Sequence, residues 1–224
     1  MKKVFINGAE GKMGKAIARI IESRPELGLE VAVKRESGQP VLGDFDVVID
    51  FSSPQGAQEA FVMARKHRRP FLTGTTNLPE TFLFQMQEEE KIPVFYAPNV
   101  SLSVYFFTEL VRQAAKMYAG YEFKLHEIHH VHKKDAPSGT AKKLADVMDL
   151  AYDKVTYERT GEVVGTHTAT FASPFDEITL SHEAKNRDLF ADSAVQIALW
   201  LMKCESGFYT MSDYAKFKLK EKKK

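Results

Sequence analysis

Val4-Phe5-Ile6-Asn7-Gly8-Ala9-Glu10-Gly11-Lys12-Met13-Gly14 is the stretch whose reading decides the fold. The three apolar residues read as a short strand. The glycines form a loop, and a helix follows with Ile17, Ile20 and Ile21 on one face, stopped near Pro25. Strand, glycine loop and helix is the setting that a dinucleotide fingerprint requires. The spacing is G-x-x-G-x-x-G and not G-x-G-x-x-G, so a tight strand-to-helix turn without a ligand stays open at this point. A carboxylate beside a pyrophosphate repels it, so the Glu10 side chain is expected to point outward.

Working outward, Val31-Ala32-Val33 is the second strand. The side chain that reads a ribose is expected at its end, about 20 residues after the glycine loop. Lys34 and Arg35 stand there, and the acidic Glu36 comes one step late. Val47-Val48-Ile49-Asp50-Phe51 reads as a buried parallel strand, and Ser52-Ser53-Pro54 opens a helix with Ala57, Ala60, Phe61 and Ala64 inward. Pro70-Phe71-Leu72 enters a fourth strand ending in Gly74-Thr75-Thr76, small residues that let a ligand approach the backbone. Residues 79 to 90 read as helix and Pro93-Val94-Phe95-Tyr96 as a fifth strand, followed by Ala97-Pro98-Asn99-Val100-Ser101. This alternation predicts an α/β fold: a Rossmann-like parallel sheet with helices on both faces.

The pattern changes after an amphipathic helix over 102–118. Residues 155–159, 167–171 and 177–182 alternate with one apolar face, which predicts an α+β domain with a mixed, mostly antiparallel sheet. Residues 188–203 form a last helix with Phe190, Ala194, Ile197, Ala198 and Leu201 inward. The predicted division is residues 1–100, with 188–224 returning, for the dinucleotide, and 101–187 for substrate and assembly. Residues 216–224 read as a basic, frayed tail; a solvated end outweighs a nucleic-acid role for its six lysines.

With 224 residues the chain is long enough for two small domains with real cores. Its formal net charge of +1 supplies no global field for nucleic acid or membrane. No apolar run approaches the ~18 residues of a membrane span, and Met1-Lys2-Lys3 leads into a strand and not a signal peptide, so the cytoplasm is expected. Cys204 is the single cysteine; its apolar neighbours favour a packed thiol over a nucleophile.

Chemistry concentrates in His126-Glu127-Ile128-His129-His130-Val131-His132-Lys133-Lys134-Asp135-Ala136-Pro137-Ser138-Gly139-Thr140-Ala141. Residues 121–125 alternate as a strand, and Ser138 N-caps a helix carried on by Leu144, Val147 and Met148. The N–H groups of Gly139 and Thr140 at that helix start would form an anion site. A strand ending in His and Lys beside it suits a carboxylate or a phosphate. Two plainer readings compete. His126-Glu127-Ile128-His129-His130 matches H-E-x-x-H, but on a strand its outer imidazoles stand about 13 Å apart, too far for one ion; no metal is expected. A solvated basic edge strand is the other.

The run Glu127-x-His129-His130-x-x-Lys133-x-Asp135-Ala136-Pro137-Ser138-Gly139-Thr140-Ala141 resembles the signature of the dihydrodipicolinate (4-hydroxy-tetrahydrodipicolinate) reductase family. The Gly8–Gly14 loop is similar to that family's Gly-Ala-x-Gly-(Arg/Lys)-Met-Gly. Asp50-Phe51-Ser52-x-Pro54, Gly74-Thr75-Thr76, Ala97-Pro98-Asn99-Val100-Ser101, residues 165–169 and residues 182–187 resemble it too. Val100 departs from the common Phe, Tyr105 stands where Asn is frequent, and the chain is shortened between 150 and 166.

The resemblance implies reduction of 4-hydroxy-tetrahydrodipicolinate, a small dicarboxylate, to tetrahydrodipicolinate in lysine synthesis, with NADH or NADPH as hydride source. It implies His129 as proton donor or acceptor, Lys133 as proton donor, and His130, Gly139 and Thr140 as substrate contacts. It implies cofactor contacts at Gly8, Ala9, Glu10, Gly11, Lys12, Met13, Gly74, Thr75, Thr76, Ala97, Pro98, Asn99 and Val100, and a homotetramer built through the C-terminal sheets. Lys34 and Arg35, with Lys12, favour NADPH because three cations around a 2′-phosphate attract it. His126 and His132 match no role and are expected to be solvated or to support their neighbours. The alternatives are another Rossmann amino-acid dehydrogenase, a non-catalytic NAD(P)-binding regulator, and a metal-binding module built on the histidines.

Overall fold

The computed structural model describes residues 1–35 and 44–221, with the backbone alone for 32–35. The side chains of Lys34 and Arg35, and Glu36 as a whole, lie outside the described residues. The chain divides into two compact units, Met1–Leu102 with Asp188–Lys224, and Ser103–Arg187.

The first unit is built on six parallel strands in the order β10-β5-β4-β3-β1-β2. They are β1 (Lys2–Asn7), β2 (Leu29–Arg35), β3 (Val47–Asp50), β4 (Phe71–Thr73), β5 (Pro93–Tyr96) and β10 (Gly207–Tyr209). The helices are α1 (Lys12–Ser23), α2 (Pro54–His67), α3 (Glu80–Gln87), α6 (Asp188–Leu201) and α7 (Met211–Glu221). All four residues of β3 are buried, the pattern of a strand covered on both faces. Phe5, Phe61 and Phe71 pack between the sheet and α2, with the Phe61 and Phe71 rings 5.5 Å apart. Ser53 caps α2 by accepting a hydrogen bond from Gly56 N at 3.1 Å, with Pro54 pre-set at the first helical position. The predicted parallel α/β sheet is therefore present.

The end of the chain corrects the reading of a frayed tail. Residues 216–221 belong to α7, and β10 extends the sheet beside β5. Trp200 explains the order: Phe95, Tyr209, Tyr214 and Phe217 all stand within 6.3 Å of its ring. A dense run of lysines hides this apolar stripe from a reading of charge. Ile20, expected on the buried face of α1, is only partly buried; Ala18 takes its place inward.

The second unit holds α4 from Ser103 onward (the helix is Leu102–Met117), β6 (Glu122–His129), α5 (Gly139–Met148), β7 (Thr156–Arg159), β8 (Gly165–Ala172) and β9 (Glu177–Ala184). Its sheet runs β7-β6-β8-β9, with β6 parallel to β7 and antiparallel to β8, and β9 antiparallel to β8. This is the expected mixed, mostly antiparallel sheet. Leu125, Ala169 and Phe171 of one face pack against Ala141, Leu144, Ala145 and Met148 of α5 and Val111 of α4. The histidine-bearing strand is thus interior, paired on both sides, and not a solvated edge. The strand runs into the histidines as expected, through His129, with β8 pairing it as far as Ile128 and β7 as far as His129.

Candidate functional site

In the second unit the period of two along β6 sends Leu125, Glu127 and His129 to the face under α5. Register sets Glu127 opposite His167 of β8, and His129 beside Arg159 of β7. Glu127 is fully buried, and His129 and His167 nearly so. A buried carboxylate needs partners. Glu127 Oε1 accepts from Ser138 N at 3.0 Å and from Arg159 Nη2 at 2.8 Å. Its Oε2 lies 3.4 Å from His129 Nδ1 and 3.6 Å from His167 Nε2. Burial alone would raise this carboxyl; His167, Ser138 and Arg159 outweigh it and hold Glu127 well below the usual carboxylate range.

His129 responds in the opposite way. Burial pushes its imidazole down to about 4, and the attraction of Glu127 opposes this only in part. It is therefore a neutral ring near pH 7. A lone pair facing Glu127 would be repelled, so the proton belongs on Nδ1 and Nε2 is left as acceptor. Gly165 packs against that nitrogen: a Cβ there would stand 2.9 Å from His129 Nε2.

Ser138 joins this cluster to the helix start. Its Oγ accepts from Ala141 N at 3.2 Å, capping α5, and meets His167 Nε2 at 3.2 Å. Gly139 is exposed, with open space around it, and Thr140 is half-buried. Lys133 Nζ donates to both oxygens of Asp135, at 2.8 and 2.9 Å, and the Asp135 backbone carbonyl accepts from Arg159 Nη2 at 2.6 Å. Burial would raise Asp135, but the Lys133 ammonium prevails and lowers it. The structure thus gathers Lys133, His129 and the α5 start around one turn. His130 is half-buried, and His132 is exposed, with ring centroids 6.2 Å apart. His126 bonds Thr156 Oγ1 through Nδ1 at 2.8 Å. The residues of this cluster that the sequence reading left without a role are Glu127, Asp135, Arg159 and His167; Ser138, expected as the cap of α5, also meets His167. A charged residue at a buried strand position was the one local signal for Glu127.

Ligand atoms of Glu127, His129 and His167 lie within 4.8 Å of one another, so the convergent histidine is His167 and not the H-E-x-x-H pair. The Arg159 guanidinium already supplies the positive charge that a metal ion would bring to Glu127.

In the first unit the glycine loop leaves β1 beside β3, where strand order reverses, the place at which open α/β sheets take ligands. Gly8 has φ +82°, and a Cβ on it would lie 2.4 Å from Phe51 O; one on Gly14 would lie 2.3 Å from Gly8 O. Gly11, without a side chain to offer, precedes α1, whose first turn carries no acidic residue. A helix start without an acidic residue and this close backbone suit a pyrophosphate. Glu10 points outward and pairs with Lys15 at 3.3 Å, so it can serve only through its backbone. Lys12 and Thr76 are exposed, Gly74 and Thr75 buried, and a Cβ on Gly74 would strike the Phe51 ring at 2.1 Å. Ala97 and Val100 are buried, Pro98 exposed, Asn99 intermediate. Cys204 is half-buried, and burial pushes its thiol up to about 11, against a nucleophilic role.

Two family models match the chain: "Dihydrodipicolinate reductase, N-terminus" over residues 2–100 and "Dihydrodipicolinate reductase, C-terminus" over residues 103–214. Curated relatives carrying the description 4-hydroxy-tetrahydrodipicolinate reductase include that of Campylobacter jejuni subsp. doylei, 35% identical over 239 residues and 96% of each chain. That of Caldanaerobacter subterraneus subsp. tengcongensis is 34% identical over 248 residues, covering 96% of this chain and 99% of its own. Among solved structures, a dipicolinate-bound dihydrodipicolinate reductase from Paenisporosarcina sp. TG-14 superposes with TM-score 0.76 at 19% identity, over 94% of this chain and 97% of its own. Aspartate semialdehyde dehydrogenase II of Vibrio cholerae shares the fold at TM-score 0.53 and 12% identity, over 91% of this chain and 99% of its own.

Proposed function

Because the chain belongs to the dihydrodipicolinate reductase family, we propose that it reduces 4-hydroxy-tetrahydrodipicolinate to tetrahydrodipicolinate, with release of water, in lysine synthesis through diaminopimelate. It is an NAD(P)H-dependent oxidoreductase. The observation that carries this reading is coverage: the two matched segments include both the glycine loop and the whole of the Glu127–Ala141 run. The reduced nicotinamide supplies the hydride.

The remaining chemistry falls to side chains. Gly139 and Thr140 hold a substrate carboxylate with backbone N–H groups, helped by the positive end of α5. His130 assists by a polar contact. Lys133, oriented by Asp135, delivers the proton that meets carbanion character left as hydride arrives. His129 enters as a neutral imidazole and accepts or shares a proton at Nε2. Glu127 and Arg159 keep that ring and the Asp135–Ser138 turn in register. Gly8 to Met13, Gly74 to Thr76 and Ala97 to Val100 cradle the dinucleotide. Lys12, Lys34 and Arg35 favour NADPH over NADH.

We place the enzyme in the cytoplasm as a homotetramer. No helix among the described residues is long and apolar enough to cross a membrane. The edge strand β9 offers unpaired backbone, and Phe175 beside it is 95% exposed, which suits assembly through the second sheet. A coupled assay with freshly generated substrate, following nicotinamide absorbance with each cofactor, tests the reaction; absence of turnover with both refutes it.

A further inference from the structure

Asp50 ends β3 and is completely buried, yet the chemistry above makes no use of it. Register sets it between Asn7, the last residue of β1, and Thr73, the last of β4. Its Oδ1 accepts from Asn7 Nδ2 at 2.6 Å and Ser52 Oγ at 2.5 Å. Its Oδ2 accepts from Thr73 Oγ1 and Thr75 Oγ1, both at 2.7 Å. Four converging donors fit an ionised carboxylate, which only accepts, and the hydroxyl distances are those of charge-assisted bonds. The donors are one amide and three hydroxyls, so dipoles solvate the charge.

The bonds spread from there. Asn7 Nδ2 also reaches Gly56 O at 3.1 Å, Ser52 N donates to Thr75 Oγ1 at 3.0 Å, and Thr75 N to Thr73 Oγ1 at 3.1 Å. Asp50 therefore ties together three of the segments that leave the sheet at this end: the glycine loop, the start of α2, and Gly74-Thr75-Thr76. Those segments leave little slack, since Gly8 and Gly74 both press on Phe51. An apolar residue here would escape the cost of burying a charge but would hold none of the three.

We infer that Asp50 is a positioning residue of the nucleotide site: it pre-sets the three loops before the dinucleotide arrives, which removes ordering cost from binding. Being fully buried, it acts through those loops and not by touching the cofactor. The inference rests on the reading of this unit as the NAD(P)H domain.

The test uses the full chain and direct titration of NADPH and NADH fluorescence, well below the melting temperature. Asp50→Asn and Thr73→Val are compared with Val94→Ala, a buried change in β5 of the same sheet that takes no part in these hydrogen bonds. Asp50→Asn should raise both dissociation constants by about tenfold or more and Thr73→Val by about threefold. Val94→Ala should leave both unchanged even where it lowers the melting temperature as much. If Asp50→Asn fails to fold, Thr73→Val decides alone. Wild-type affinity in the Asp50 and Thr73 variants, or an equal loss in Val94→Ala, overturns the inference. A wild-type protein that binds neither nucleotide removes the domain reading as well, so the two failures are distinguishable.

Discussion

Acid should weaken this protein through His129 before it reaches the carboxylates. The folded chain holds this imidazole at about 4 through burial, only partly opposed by Glu127, whereas an unfolded chain returns it to about 6.5. Between those values the unfolded state binds a proton that the folded state refuses, so stability rises with pH across the window and is lost as pH falls. A full proton difference is worth about 1.4 kcal/mol per pH unit, and because the unfolded ring is only half-protonated at the upper end of the window, the fall from about 6.5 to about 4.5 removes about 2 kcal/mol. Glu127 acts in the same sense but lower: its held-down carboxyl contributes fully above the unfolded value of about 4.5 and is lost only beneath it. Urea unfolding followed by circular dichroism, repeated from about pH 7 to about pH 4.5, reads the loss. His129→Asn removes the titrating ring, so wild type should lose about 2 kcal/mol more than the variant over that range. Parallel stability curves for the two proteins would refute the buried, neutral assignment.

Lys133→Ala should lower kcat by about 10²–10⁴-fold while KM moves less, because a general acid acts on the transition state; steady-state kinetics showing a KM effect alone would make Lys133 a binding residue. Thr140→Pro removes one N–H of the α5 start, so pyridine-2,6-dicarboxylate should bind more weakly while cofactor affinity without substrate holds. Inhibitor affinity equal to wild type in a folded variant sinks the anion site. NADPH should bind about tenfold more tightly than NADH at low salt, with a preference that shrinks as salt rises and falls in Lys34→Glu; equal or tighter NADH binding in the same titration contradicts the placement of the three cations.

Local physics made much of this molecule legible in its sequence. The alternation of short apolar strands with helical periods over residues 1–100 reports a sheet covered on both faces, because burial on two sides leaves a continuous apolar run such as Val47-Val48-Ile49. Gly8 and Gly14 are legible too, since tight turns and close backbone contacts admit little else. The Ser138 cap follows from residue type and position.

What only the tertiary structure decided is where charge is buried. Glu127 reads as one charged residue among many until Arg159, 32 positions on, and His167, 40 positions on, arrive through β7 and β8. Asp50 acquires its role only when Asn7, 43 residues earlier, and Thr73 and Thr75, more than 20 later, meet it at the sheet end. The same holds for α7, whose lysines mask a stripe that has no meaning without Trp200. Periodicity is a property of neighbours along the chain. The solvation of a buried carboxylate is a property of neighbours in space, and strand pairing, not sequence order, brings them together.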